Sequence, residues 1–187
     1  MRYSLIDLME GRTVLSGSIP GRKLLTALIA ATPSADTPAT VFLDFKDIEV
    51  ATASFLREAV IGFRDYARLS LQNVYPVVAN LSPAVLEELA FFVRARGDVL
   101  WSCTLDKDDL VTTARVIGEL DPAQRATFEA VAELGAVTAP ELAARFAEER
   151  IGPTAWNNRL SGLAAKGLLV ERRRGKSKSF SSLLEIA

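Results

Sequence analysis

The 187-residue chain has no histidine and one cysteine, Cys103. Without histidine there is no Ser-His-Asp triad, and the commonest metal ligand and proton carrier near neutral pH is missing. A lone cysteine precludes an intramolecular disulfide, and with no histidine beside it zinc sites are excluded too. Cys103 lies in an apolar stretch with Leu100, Trp101 and Leu105, which suits a buried, inert thiol better than a redox sensor. No apolar run approaches the roughly 18 residues that a membrane-spanning helix requires, and the N-terminus lacks a basic region followed by a long apolar core. The expectation is a cytoplasmic protein with no membrane partner. In residues 1–120 no constellation combines a nucleophile, a base and an oxyanion donor. The chain therefore reads as no enzyme, with no catalytic residue, no metal site and no cofactor.

An excess of charge of one sign is also missing, since 22 Lys/Arg stand against 23 Asp/Glu for a net charge of −1. The balance hides an asymmetry. Residues 121–187 hold ten Lys/Arg and eight Asp/Glu, or +2, which leaves twelve and fifteen, or −3, for residues 1–120. With 49% apolar residues the chain has material for two small cores. The change of pattern between Glu119 and Pro122 divides it into domains 1–118 and 121–187.

The second domain reads as three short helices and a hairpin. Asp121-Pro122-Ala123-Gln124 combines a capping acid, a proline at the first helical position and Gln at capping-box spacing. Phe128, Val131 and Leu134 then share a face. Thr138-Ala139-Pro140-Glu141 repeats the signal, followed by Leu142 and Phe146. Gly152-Pro153 opens a third helix, 153–166, with Trp156, Leu160 and Leu163 on its core side. After Gly167, placed as a C-cap, Leu168-Leu169-Val170 reads as a strand, Arg174-Gly175-Lys176-Ser177 as a turn and Ser179 to Leu184 as the returning strand. Gly175-Lys176-Ser177 is not a phosphate loop, because the motif's first glycine falls on Val170 and no helix follows.

The stretch GPTAWNNRLSGLAAKGLLVERRRGKSKSF resembles the recognition helix and wing of bacterial winged helix-turn-helix transcription regulators, over roughly the last third of the chain. The resemblance implies an α+β fold that binds double-stranded DNA, with the third helix in the major groove. Thr154, Asn157, Asn158, Arg159 and Ser161 are the candidate readers: the amides suit adenine, Arg159 suits guanine or phosphate, and the hydroxyls suit either. Arg172, Arg173, Arg174, Lys176 and Lys178 crowd five cations into seven residues at the hairpin, which suits a backbone or minor-groove contact.

The first domain alternates strands and helices. Tyr3 to Leu8 and Arg12 to Leu15 flank a Glu10-Gly11 turn, and a helix from about Pro20 to Ala31 precedes the strand Thr40 to Phe45. A long helix, Ser54 to Leu69, leads to the strand Val74 to Ala79. Ser82-Pro83 then caps a helix reaching Arg96, and Val99 to Leu105 is a strand. Helices between strands require crossovers, so the sheet is expected to be mixed, with helices covering it. Residues 106–118 fit either a helix or a strand after a turn at Asp106-Lys107-Asp108-Asp109.

The stretch VFLDFKDIEVATASFLREAVIGF resembles the middle of a STAS-like domain, the fold of anti-sigma factor antagonists. In that family a strand ending in Asp, here Asp44, leads into a loop Asp-Ser-Ser-Gly whose second Ser is phosphorylated by a partner kinase. Those positions are Thr52, Ala53, Ser54 and Phe55 here, so the phosphorylated serine alone is retained. A phosphate on Ser54 would meet a helix N-terminus, and the plainer reading of Ser54 is an ordinary helix cap. Asp47 and Glu49 read as solvent-facing turn charges.

Together these readings describe a bacterial DNA-binding regulator whose STAS-like half receives a signal or partner. The alternative is a protein-interaction adaptor that binds a kinase or sigma-control protein. A homodimer is plausible on geometric grounds, because symmetric half-sites raise affinity.

Overall fold

Apolar residues at every second position of 39–44 and 74–79 form the centre of a sheet. In the computed structural model, which describes residues 1–175 and 177–185 with Arg174 represented by its backbone alone, the chain divides into two compact units, one ending at Gly118 and one beginning at Glu119.

The described residues of the first unit form a mixed α/β fold with a five-stranded sheet in the order β1-β3-β5-β6-β7. These strands are Arg2–Ser4, Ala39–Asp44, Val74–Ala79, Val99–Leu105 and Val111–Gly118. The first four run parallel, and β7 returns antiparallel beside β6. A short parallel pair, β2 (Val14–Leu15) with β4 (Val50–Ala51), lies apart. The crossovers are α2 (Ser18–Ala31), a continuous helix composed of α3 (Ala53–Leu56), a π-helical turn (Arg57–Ile61) and α4 (Gly62–Ser70), and α5 (Pro83–Ala95). Spatial order follows chain order along β1-β3-β5-β6, and crossovers of the usual right hand would place all three helices on one face of such a sheet. The core fits that arrangement: Val41, Leu43, Val74, Val78, Leu100 and Ile117 pack with Leu24, Leu28, Phe55, Phe63, Leu89 and Val93 of the helices.

Local chemistry explains most boundaries. Tyr3 to Leu8 splits into β1 and a single helical turn, α1 (Leu5–Leu8), because Ser4 accepts the Asp7 N–H and starts a helix where apolar content alone suggests one run. Gly21 lets α2 press onto α3, since a Cβ there would lie 2.9 Å from both the Phe55 carbonyl oxygen and the Glu58 Cβ. The π turn lies where α2 packs, and no local signal in residues 57–61 announces it. Residues 111–118 form a strand. The Asp106 carboxylate accepts the Asp108 and Leu110 N–H groups, each at 2.9 Å, which folds the turn tightly enough for the β-branched run to pair with β6. Gly118 ends it at φ +99°, where any Cβ would strike the Asp98 carbonyl.

The second unit contains α6 (Pro122–Leu134), α7 (Ala139–Arg145), a 3-10 turn (Ala147–Glu149), α8 (Pro153–Ala165) and the antiparallel pair β8 (Leu169–Arg174) and β9 (Ser177–Ser182). Asp121 caps α6 by accepting the Gln124 N–H at 2.8 Å. Thr138 and Glu141 form a reciprocal capping box on α7, the Thr138 N–H donating to Glu141 Oε2 at 2.7 Å. Gly167 takes φ +75° after α8, as a left-handed helix stop requires. Phe128, Val131, Leu142, Trp156, Leu160, Leu163, Leu169 and Phe180 are buried. Val137 bridges to Phe180 in both directions, at 2.8 and 2.7 Å, and ties the α6–α7 connection to the hairpin. Both strands run further into the basic segment than the apolar residues indicate, because Gly175 at φ +64° turns the chain directly between the paired Arg174 and Ser177. Among the described residues no helix is long and apolar enough to cross a membrane.

Candidate nucleic-acid interface

Helix α8 carries two faces. Trp156, Leu160 and Leu163 point into the core, and the ring of Phe146 lies 5.7 Å from that of Trp156. Thr154, Asn158 and Ser161, spaced four and three apart, fall on the opposite side, with Thr154 and Asn158 exposed and Ser161 half-buried. Gly162 continues this face with open space where a side chain would stand. The result is a surface of small polar groups with a single amide, Asn158, reaching out from its middle. Asn157 and Arg159 flank it and are half-buried. The Arg159 guanidinium is held 5.2 Å from the centroid of the Trp156 ring, a cation–π contact that draws it toward the edge of the helix. The helix starts at Gly152-Pro153 with no side-chain cap among the described residues, and the positive end of its dipole favours an anion there.

The hairpin sorts its cations by strand face. Arg172 is exposed and has no ionic partner among the described residues. Arg173 and Lys178 are cross-strand neighbours on the other face, and both reach the same atom, Glu171 Oε1, each at 3.0 Å. Burial alone would raise the Glu171 carboxyl pKa, but the bonds from Lys178 and Arg173 outweigh it and hold the group below the ordinary carboxylate range. Arg174 contributes its backbone to β8, and the fifth expected cation, Lys176, lies outside the described residues. The signal for Glu171 lies in the sequence itself, where an acid precedes an Arg-Arg-Arg run and stands two residues from Arg173, on the same strand face.

In the first unit the helix carrying Ser54 begins earlier than its hydroxyl suggested. Thr52 stands at the cap position, and Ser54, half-buried, lies inside the first turn with its Oγ 3.1 Å from Thr52 Oγ1. The acceptor for the free Ala53 N–H is Glu88 Oε1, from α5, at 2.9 Å. A carboxylate therefore already occupies the helix N-terminus where a phosphate on Ser54 would be drawn, and no local signal reveals an acceptor 35 residues away. Beside it a groove of about 580 Å³ is lined by Val50, Thr52, Glu87, Glu88, Phe91 and Arg94. Phe91 is 71% exposed and Val50 42%.

Asp44 is a structural acid. It is buried at the end of β3, where it accepts from Arg2 Nε at 2.8 Å, the Lys46 N–H at 3.0 Å and Asn80 Nδ2 at 2.8 Å. Asn80 Oδ1 in turn accepts the Leu105 N–H at 2.9 Å, so one network joins the ends of β3, β5 and β6. The bond to Asp44 raises the Arg2 pKa. Asp47 and Glu49 are exposed. Cys103 is buried, and that burial pushes its thiol up to about 12, which leaves it protonated and unreactive. Among the described residues no group of His, Cys, Asp or Glu is placed to hold a metal ion. No protein-family profile and no curated protein matches the chain.

Proposed function

We propose that this protein is a DNA-binding transcription regulator of the bacterial winged helix-turn-helix type, with a STAS-like N-terminal unit that receives a signal or partner. The observation that carries the reading is the outward face of α8. Thr154, Asn158 and Ser161 are presented opposite the core, beside a hairpin whose exposed Arg172 has no ionic partner among the described residues. Small neighbours allow such a helix to enter a major groove closely, and a central asparagine has the amide geometry for an adenine edge. Asn157 and Arg159, at the flanks, suit phosphates, as do the wing cations. Two copies on paired half-sites would raise the regulator's affinity for DNA.

Fluorescence-anisotropy titration tests this with duplex from the protein's own upstream region and a scrambled duplex, at low and physiological salt. Arg172→Ala should weaken binding to both duplexes and flatten the salt dependence by about one unit of log–log slope. Asn158→Ala should act on the native duplex, costing about 1–3 kcal/mol there. Weak and equal binding of wild type to both duplexes removes the proposal.

A second reading, an adaptor for a kinase or sigma-control protein, is favoured by the exposed Phe91 and Val50 on the groove next to Ser54. Phe91→Asp should then abolish co-elution with that partner. A phosphate on Ser54 would appear as a mass shift lost in Ser54→Ala. A chain that gains no mass with the kinase present carries no such switch.

A further inference from the structure

Five cations in the seven residues 172–178 suggest a strongly phosphate-seeking hairpin, yet the geometry divides them unequally. Glu171 Oε1 takes both Arg173 Nε and Lys178 Nζ at 3.0 Å. Arg172, one residue along, projects from the other strand face and is left out of the pair. The Glu171 side chain is 26% exposed and that of Lys178 32%, so this arm of the cluster is partly shielded from water and salt. Arg173 is 70% exposed, so its bond to Glu171 is the more screened of the two and Lys178 is the cation held more firmly.

We propose that Glu171 is an internal competitor for nucleic-acid phosphate, a positioning residue that sets how many wing cations engage the DNA backbone and so limits sequence-independent affinity. The inference rests on the DNA-binding reading above and adds a residue and a direction to it. A phosphate approaching the Arg173/Lys178 face must displace a carboxylate already bonded to both cations, whereas one approaching Arg172 displaces only water and counterions. Non-specific binding, which is almost wholly electrostatic, is held down on one face of the hairpin, while the contacts of α8 with base edges are untouched. The protein thereby raises the ratio of specific to non-specific affinity without changing a base-reading residue.

The test is anisotropy titration of wild type, Glu171→Gln, Arg173→Ala and the double variant against native and scrambled duplexes across a salt series, with a melting curve for each protein. Glu171→Gln keeps the shape of the side chain and removes its charge. It should bind scrambled duplex about three- to tenfold more tightly near physiological salt, with a log–log salt slope steeper by about one to two units. Its preference for the native duplex should shrink. Arg173→Ala should weaken binding to scrambled duplex less in wild type than in the Glu171→Gln background, where it should cancel much of the gain. Glu171→Asp, which keeps the charge, should stay near wild type. If wild type binds and Glu171→Gln binds equally or more weakly with an unchanged slope, Glu171 is a scaffold for the cations and the inference is overturned. If wild type and Glu171→Gln, both folded, fail to bind any duplex at low salt, the DNA-binding reading falls and takes this inference with it.

Discussion

The two units satisfy their polar groups over very different distances along the chain. In the second, Asp121 caps a helix through a residue three positions on, Thr138 and Glu141 cap each other across the same span, and Glu171 holds Arg173 two residues away. In the first, Ala53 depends on an acceptor 35 residues off, and Asp44 on donors 36 and 42 residues away. The second unit is consequently a set of locally capped elements, joined by packing and by the two Val137–Phe180 hydrogen bonds. The first acquires the ends of its strands and its longest helix from tertiary contacts, so the same type of substitution carries different information in each.

The comparison is tested most severely in the cores. Trp156→Ala empties a fully buried site where α8 meets Phe146 and should destabilise the second unit by about 3–5 kcal/mol, measured from the denaturant midpoint. A loss below about 1 kcal/mol would mean that locally capped helices hold together without their centre. Next is Asp44→Ala, which strands Asn80 Nδ2 and the Lys46 N–H at the strand ends and should cost the first unit about 2–3 kcal/mol, with Asp44→Asn recovering part. Equal stability of both variants would show that the network is dispensable. The caps provide the most direct contrast. Thr138→Ala and Glu88→Ala should each cost about 1 kcal/mol, but the first cost should persist in a peptide spanning α7 while the second exists only in the folded unit. Helicity measured by circular dichroism on the peptides distinguishes them.

The smallest effect is a pH dependence. Burial alone would raise Asp98, but the Val99 N–H and the charge of Arg64 overcome it and hold the carboxyl below its ordinary value of 3.8. A depressed folded-state pKa contributes stability that is complete above that value and is lost as the pH falls through it toward the lower one. The first unit should therefore lose stability in acid below about pH 4, and Asp98→Asn should remove that part of the slope while lowering stability at neutral pH. An unchanged acid profile in Asp98→Asn would assign the slope to other carboxylates.

How much was legible follows the same division. The caps at Asp121, Thr138 and Ser82, the core face Trp156–Leu160–Leu163 and the Gly167 stop rest on neighbours within one or two turns, and they stand as the sequence indicates. The split of Tyr3 to Leu8 was missed because one serine at the junction outweighs apolar continuity. The strand at 111–118 stayed ambiguous because its decision lies with the free edge of β6, which no window of residues 106–118 contains.

At the candidate interface, sequence alone determined which side of α8 is apolar and where the cations gather, since helical period and composition are local properties. Tertiary structure alone decided that Glu88 rather than Ser54 satisfies the start of α3 and that Lys178, from the returning strand, shares the Glu171 carboxylate with Arg173. Both depend on which charge the folded backbone brings within about 3 Å, the range over which hydrogen bonds and ion pairs act.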